Sequence, residues 1–185
     1  MQMPDMSDIT KLLSAARGGD AEAESKVFSL LYSDLRRLAH QRLSRTKPCT
    51  LLETTALVHE AYLRVHRAGY VQFVDRSHFL AYAARVMRSV IVDFVRKRGM
   101  TKRVDADVTD MVDRAGVPSG EDEILRVDRA LEELAKVSER LVKVVEMRYF
   151  AGMKETEIAE ALSLTERTVR RDWDKARMVL ATALK

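Results

Sequence analysis

The sequence predicts an all-α protein of two small helical domains joined by a flexible acidic linker. Apolar residues recur at helical spacing along most of the chain, and the longest interruption of this pattern lies between residues 98 and 124. Only 7 of the 185 residues are Gly and 3 are Pro, while 46% are hydrophobic, which is enough to fill packed cores. We therefore expect domains at residues 1–98 and 123–185, with the linker at residues 99–122.

Four helices are predicted in the N-terminal domain. The first ends at the pair Gly18-Gly19, and Asp20 is placed to cap the second. Pro48 stops the second helix because its ring cannot continue a helical hydrogen-bond pattern. The predicted ranges are about 8–17, 21–46, 53–66 and 78–98, with a loop at 69–77.

The linker separates two stretches of helical periodicity. Gly116, Pro118 and Gly120 are helix breakers, and the surrounding acidic residues repel one another. Fully extended at ~3.3 Å per residue, such a linker could reach roughly 80 Å. Beyond it, one helix is expected to begin near Ile124 and a second near Ser138.

Residues 154–180 hold two helical patterns that meet across a very short break, Ser163-Leu164-Thr165. In the second pattern, Val169, Trp173, Ala176 and Leu180 recur at spacings of four, three and four, which places them on one face. Thr165 is a good N-cap for this second helix. The arrangement predicts a helix-turn-helix.

The opposite face of the second helix is basic. Such a face is suited to contact phosphates and base edges of DNA. An ordinary helical hairpin with a solvated basic face is the alternative, but turn, cap and tryptophan in one register favour DNA binding. The candidate residues of this face are Thr165, Arg167, Arg170, Arg171 and Lys175.

The charge distribution also indicates a polyanionic partner. The net charge is only +4, yet residues 76–103 hold eight Lys/Arg and one acid, whereas residues 105–123 hold seven acids and one Arg. Two basic regions divided by an acidic stretch suggest a polyanion contacted twice. No apolar run reaches membrane-spanning length and no signal peptide is recognisable, so we expect a cytoplasmic protein with no membrane partner.

Catalytic and metal-binding patterns are missing from the sequence. The single cysteine, Cys49, excludes a disulfide framework and a thiolate zinc site. The histidines are scattered, and His59-Glu60 is not followed by a second His at the spacing of a zinc motif. We therefore predict no catalytic residues, no metal and no cofactor.

Residues 70–98 combine aromatic and basic side chains. Tyr70 and Phe73, in the predicted loop, are expected to be exposed and to stack on unpaired bases while arginines hold the backbone. Phe79 and Tyr82, at helical spacing, are explained equally well as core residues. The candidate cations are Arg76, Arg85, Arg88 and Arg96.

Over nearly its whole length the chain resembles a bacterial RNA polymerase sigma factor of the extracytoplasmic-function (ECF) type. The segment ALVHEAYLRV (56–65) resembles the helix that binds the polymerase clamp. HFLAYAARVMRSVIVDFVRKR (78–98) resembles the helix that recognises and melts the promoter −10 element. MRYFAGMKETEIAEALSLTERTVRRDWDKAR (147–177) resembles the domain that recognises the −35 element, and it is the most specific match.

The resemblance implies two partners, promoter DNA and the clamp of the largest subunit of core RNA polymerase. For polymerase binding it implies Glu53, Leu57, His59, Glu60 and Leu63. For the −10 element it implies Tyr70, Phe73, Arg76, Ser77, Arg85, Arg88, Ser89 and Arg96. For the −35 element it implies the basic face of the helix-turn-helix defined above.

The chain departs from the family pattern at two places. Ser89 stands where many members carry Asn, which leaves the preferred −10 base open. Thr54 and Thr55 follow Glu53 where members carry an acidic cluster. The combination of TTALVHEAYLRV with AYAARVMRSVIVDF resembles the subgroup associated with Ser/Thr protein kinases, which implies that Thr54 and Thr55 are phosphorylation candidates and that a kinase is a further partner.

Two other classes of protein compete with this interpretation. A stand-alone helix-turn-helix regulator, with an N-terminal domain that binds an effector or partner, would share the DNA-binding half. One observation separates this regulator from a sigma factor: a sigma factor requires added core polymerase for specific promoter binding, whereas a stand-alone regulator does not. A nucleic-acid-modifying enzyme is disfavoured because no catalytic cluster is present.

Overall fold

A computed structural model of the protein describes residues 6–45, 52–68, 73–105 and 120–184. Every secondary-structure element within these ranges is helical, which confirms the predicted all-α class. The helices are α1 (Met6–Arg17), α2 (Ala21–Arg45), α3 (Thr54–Ala68), α4 (Arg76–Asp105), α5 (Gly120–Val137), α6 (Glu139–Val145), α7 (Glu155–Ala161) and α8 (Glu166–Ala183). A π-helical segment, Glu146–Phe150, continues directly from α6.

Helices α1 to α4 bury one apolar core. Leu13, Leu31, Leu57, Phe79 and Met87 are among its fully buried side chains. Burial of each such side chain contributes roughly 1.5–3 kcal/mol relative to exposure. Because every one of the four helices supplies residues to this core, the core fixes how α3 and α4 are presented.

The start of α2 agrees with its prediction. Asp20 Oδ1 accepts hydrogen bonds from the backbone N–H groups of Glu22 at 2.9 Å and Ala23 at 3.1 Å. Gly19 has a φ of 89°, a left-handed conformation in which glycine carries no steric penalty. The short break between α1 and α2 therefore follows from local chemistry.

The bounds of α4 and α5 differ from the predicted ones. The predicted end of the fourth helix at residue 98 is wrong, because α4 continues through Gly99 to Asp105, and α5 already begins at Gly120. A single Gly in a helix costs only about 1 kcal/mol relative to Ala, and a helix tolerates this where the flanking residues, such as Lys97 and Arg98, are good helix formers. Loss of apolar periodicity therefore did not mark the end of the helix.

Helices α5 to α8 enclose two adjoining apolar clusters. Leu134, Leu141, Val144, Ile158 and Val169 are buried in them. The half-buried Trp173 of α8 packs against both clusters. The predicted apolar stripe of the last helix is thus a real contact surface.

The π-helical segment turns two charged side chains to different sides. The backbone N–H of Ala151 donates to the carbonyl of Glu146 at 2.9 Å, an i to i−5 bond that widens the helix at this point. Residues two apart on a helix point in roughly opposite directions. Glu146 consequently points towards α4, whereas Arg148 points towards α7 and α8.

The N-terminal and C-terminal helices pack against each other. Ala81 and Ala84 of α4 are buried in the clusters formed by α5 to α8. The guanidinium of Arg42 lies 3.6 Å from the ring centroid of Phe150. Small residues on α4 allow this close approach; the division into domains at residues 1–98, 99–122 and 123–185 stays a prediction.

Within the described ranges, no helix has both the length and the apolar character needed to cross a membrane. In the same part of the chain, no three His, Cys, Asp or Glu side chains come together as metal ligands. Cys49 lies outside the described residues.

Candidate nucleic-acid interface

Helices α7 and α8 are joined by residues 162–165. Ser163 has a φ of 54°, the left-handed conformation that favours glycine. The backbone N–H of Leu164 donates to the carbonyl of Ala159 at 2.8 Å, and the Leu164 side chain packs on the apolar cluster below. The turn is therefore tight, and both a backbone hydrogen bond and a side-chain contact of Leu164 hold it in place.

The start of α8 confirms the predicted N-cap. The hydroxyl of Thr165 accepts a hydrogen bond from the backbone N–H of Thr168 at 3.2 Å. Val169 and Ala176 are fully buried, and Trp173 and Leu180 pack on the same clusters, as their spacing predicts. These contacts fix the rotation of α8 about its axis.

This rotation leaves the predicted basic face of α8 on the surface. Its members are all exposed, namely Arg167, Arg170, Arg171 and Lys175. Thr165, at the start of the helix, is exposed as well. The exposed helix face is convex and cationic, so it is suited to contact a groove of a polyanion such as DNA.

Arg170 is held by a carboxylate that sequence reasoning missed. Glu155 Oε2 accepts hydrogen bonds from Arg170 Nε at 3.2 Å and Nη2 at 2.9 Å, and Glu155 Oε1 accepts one from Arg148 Nη1 at 2.6 Å. The hydrogen bond from Arg170, followed by that from Arg148, lowers the pKa of Glu155 below its ordinary value. Glu155 is therefore ionised at neutral pH and loses these contacts only as the pH falls through that lowered pKa.

Arg148 extends this contact into the core. Its guanidinium lies 4.9 Å from the ring centroid of Trp173, an attractive cation–π geometry. Arg148, Glu155 and Arg170 thus join the π-helical segment, α7 and α8 in one connected set. The sequence pattern singled out Arg170, but it gave no sign that Arg148 and Glu155 contact it.

The predicted exposure of Phe73 is wrong. Its side chain is 4% exposed and packs edge-on against Phe79, with ring centroids 5.2 Å apart. Tyr82 contacts the same ring at 5.2 Å, so the core alternative holds for these aromatics. Burial of Phe73 removes it as a surface on which a base could stack, and Tyr70 lies outside the described residues.

Two predicted DNA-contacting arginines of α4 bind carboxylates of the C-terminal helices. Arg88 pairs with Asp128 through Nη1, and its Nη2 donates to Glu146 at 3.1 Å. Arg96 Nη2 donates to the other oxygen of Asp128 at 3.1 Å. In this arrangement Arg88 is not available to DNA, because only 20% of its side chain is exposed and both of its carboxylate partners are buried.

The other −10 candidates remain near the surface. Arg76 donates to Asp34 of α2 at 2.7 Å, and Ser77 is half-buried beside it. Arg85 is exposed. Ser89, also exposed, accepts a hydrogen bond from Arg64 at 3.1 Å. Arg85 and Ser89 are four residues apart and therefore share one face of α4.

Helix α3 presents only part of the predicted polymerase-binding set. Leu57 has no exposed surface, so the prediction that it contacts a partner is wrong; it belongs to the N-terminal core. Leu63 is 43% exposed, and Glu53 and His59 are exposed as well. Glu60 accepts a hydrogen bond from Arg64 at 3.1 Å.

The phosphorylation candidates lie in the first turn of α3. Thr54 is half-buried and Thr55 is exposed. The first turn of α3 has no acidic side chain. The backbone N–H groups at this end therefore have no neutralising carboxylate within the helix.

The buried acids could have been noticed in the sequence. Asp128 falls between Ile124 and Leu131 at helical spacing, so it lies on the apolar face of α5. Asp172 interrupts the stripe of α8 and pairs with Arg140 at 2.7 Å. A charged residue at a core position predicts a partner of opposite charge, although it does not tell which residue that partner is.

A family model described as ECF sigma factor matches residues 6–185. Comparison with curated individual proteins gave no match.

Proposed function

Because the chain belongs to the ECF sigma factor family, we propose that it binds core RNA polymerase through α3 and contacts promoter DNA at two separated elements. Proteins of this family are initiation factors that direct polymerase to promoters, not enzymes. The observation that carries the proposal for this chain is the exposed row of four cations on α8. Such a row, on the second helix of a pair joined by a four-residue turn, has the form of a helix-turn-helix recognition surface.

The −35 element is the proposed target of α8. Arg170 and Arg171 lie in the first two turns after the Thr165 cap, where a recognition helix contacts base edges. Arg167 and Lys175 flank them and are suited to phosphate contacts. The burial of Val169 and the packing of the half-buried Trp173 on the opposite side support this orientation.

The −10 element is the proposed target of α4, with Arg85 and Ser89 as the exposed contacts. Arg88 and Arg96 would join them only after exchanging Asp128 and Glu146 for phosphate. That exchange requires the C-terminal helices to move away from α4, in keeping with two domains at residues 1–98 and 123–185 joined by a flexible linker. The arrangement described above is then the closed form of the free protein.

Core polymerase is the proposed partner of α3. Glu53, His59 and Leu63 offer an exposed mixed surface, and Thr54 and Thr55 occupy the place where relatives present carboxylates. We propose that a Ser/Thr protein kinase supplies the missing negative charge by phosphorylating one of these threonines. The exposure of Thr55 and the absence of an acidic side chain in the first turn of α3 support this step.

Promoter binding by the purified protein, with and without added core polymerase, tests the proposed function. We expect sequence-specific binding and run-off transcription only when core polymerase is present, with promoters taken from a genomic library. Specific binding of equal strength by the protein alone would instead identify a stand-alone helix-turn-helix regulator. No specific binding in either condition would contradict both.

Replacement of Arg170 or Arg171 by Ala should weaken promoter recognition by about 1–3 kcal/mol and relax preference at one −35 position. The reason is that each bidentate contact between Arg and a base is lost. Arg129, an exposed arginine of α5, serves as the matched control because it lies outside the basic face. Equal weakening on all promoter sequences would show phosphate contact only, and unchanged preference in both variants would show that the assigned face is wrong.

A further inference from the structure

The geometry of Arg170 leaves one edge of its guanidinium free. Nε and Nη2 form the side edge, and both donate to Glu155 Oε2. The end edge consists of one N–H from each of Nη1 and Nη2, and Glu155 does not occupy it. Within the described residues, both hydrogen bonds of the Arg170 guanidinium go to Glu155 Oε2, and 64% of the side chain is exposed, which leaves this two-donor end edge accessible.

We propose that Glu155 is a positioning residue for DNA recognition: it holds Arg170 by the side edge so that the end edge is presented to a guanine of the −35 element. The inference rests on the proposed function of α8 and adds to it both a residue from α7 and the base that Arg170 contacts. Guanine is the base whose major-groove edge carries two adjacent acceptors, O6 and N7, which match two parallel N–H donors.

Holding Arg170 in place has a physical benefit. A free arginine side chain loses conformational entropy when it is ordered at an interface, and an arginine that is already ordered loses less. Glu155 can fulfil this role because it is itself fixed. Its other oxygen binds Arg148, whose guanidinium lies over the ring of the half-buried Trp173, so contacts with the rest of the C-terminal helices set the position of the carboxylate.

Arg171 provides the contrast. It is exposed, and its nearest carboxylate oxygen, on Asp172, lies 4.0 Å from Nε. This distance is too long for a hydrogen bond, so Asp172 does not orient the Arg171 guanidinium in the way that Glu155 orients Arg170. The side chains of these two neighbouring arginines therefore differ in how firmly they are held, and the more firmly held Arg170 is better suited to discriminate between bases.

The test uses the full chain bound to core polymerase and a promoter series in which each −35 base pair is varied. Arg170→Ala should reduce discrimination for guanine at one position by about 5- to 150-fold, the range for loss of a bidentate contact. Glu155→Gln should reduce discrimination at the same position by about two- to tenfold, since the contact survives without its preorganisation. In the double variant the effect of Glu155→Gln should vanish.

Glu157→Gln is the matched control. Glu157 lies in the same turn of α7, but its carboxylate accepts from the backbone N–H of Lys154 at 2.7 Å and not from Arg170. Removal of either carboxylate makes this face more positive and strengthens DNA binding of all sequences alike. Only Glu155→Gln should also reduce discrimination. Thermal unfolding of every variant separates this effect from a general loss of structure.

Three outcomes would overturn the inference. In the first, Glu155→Gln and Glu157→Gln change discrimination equally, which would assign Glu155 a structural or charge role. In the second, Glu155→Gln still acts in the absence of the Arg170 side chain. In the third, Arg170→Ala relaxes no guanine position although the wild type prefers one promoter sequence. If the wild-type protein with core polymerase shows no promoter preference at all, the proposed function fails instead.

Discussion

Replacement of Arg88 by Met is expected to lower the free energy of unfolding by about 3 kcal/mol. Arg88 binds both Asp128 and Glu146, which are 7% and 5% exposed. Removing the arginine leaves Glu146 buried without this cation and Asp128 paired only with Arg96, and an uncompensated buried charge is among the largest single effects on stability. We place the effect at the lower end of the known range because a fifth of the Arg88 side chain remains exposed. Urea denaturation at neutral pH measures it.

Arg85→Met is the control for this prediction. Arg85 lies one turn before Arg88 on α4 and is exposed, so its replacement should change stability by less than about 0.5 kcal/mol. Adding Asp128→Asn and Glu146→Gln to Arg88→Met removes the buried charges and should restore part of the lost stability. If Arg88→Met and Arg85→Met are equally stable, the ion pairs between α4 and the C-terminal helices do not form in solution.

Phosphorylation of Thr55, or of its neighbour Thr54, is expected to tighten binding to core polymerase by about tenfold or more. A phosphothreonine adds about −1.5 to −2 charge and can form one to three charge-assisted hydrogen bonds with arginines of a basic surface. The N-terminus of α3 stabilises that charge through the helix dipole. Thr55 is the better candidate of the two because it is exposed, whereas Thr54 is half-buried.

The measurement compares polymerase affinity and run-off transcription for the unmodified, kinase-treated, Thr54→Ala, Thr55→Ala and Thr55→Glu proteins. Thr55→Glu should reproduce part of the gain, since it adds one charge and not two. Thr156→Glu makes the same chemical change at an exposed position in the first turn of α7 and should leave polymerase affinity unchanged. Tight binding by the unmodified protein that none of these changes alters would refute the switch.

The basic face of α8 was predictable because its geometry is local. The spacing of Val169, Trp173 and Ala176 fixes which side of the helix is buried, and the cations necessarily lie on the other. The Thr165 cap depends only on a hydroxyl and the next turn of backbone. Both predictions were therefore insensitive to how the rest of the chain is arranged.

The surroundings of α4 were not predictable in the same way. Its helical pattern was clear, but nearly every side of the helix is covered: the N-terminal core takes Phe79 and Met87, and the C-terminal helices take Ala84 and Arg88. An arginine in a sequence has the same appearance whether its partner is phosphate or carboxylate. The packing of α5 and the π-helical segment against α4 is what gives Arg88 carboxylate partners in this structure.

Helical periodicity and local capping by themselves determined the all-α class and the orientation of α8. They act between residues three or four positions apart, so no knowledge of the remaining chain was needed. The tertiary structure alone decided three further features: the burial of Phe73, the pairing of Arg88 with Asp128 and Glu146, and the hydrogen bonds from Arg170 to Glu155. Each of these joins residues at least six positions apart, and the Arg88–Glu146 pair spans 58. Contacts over such separations depend on how whole helices pack, and no local spacing encodes them.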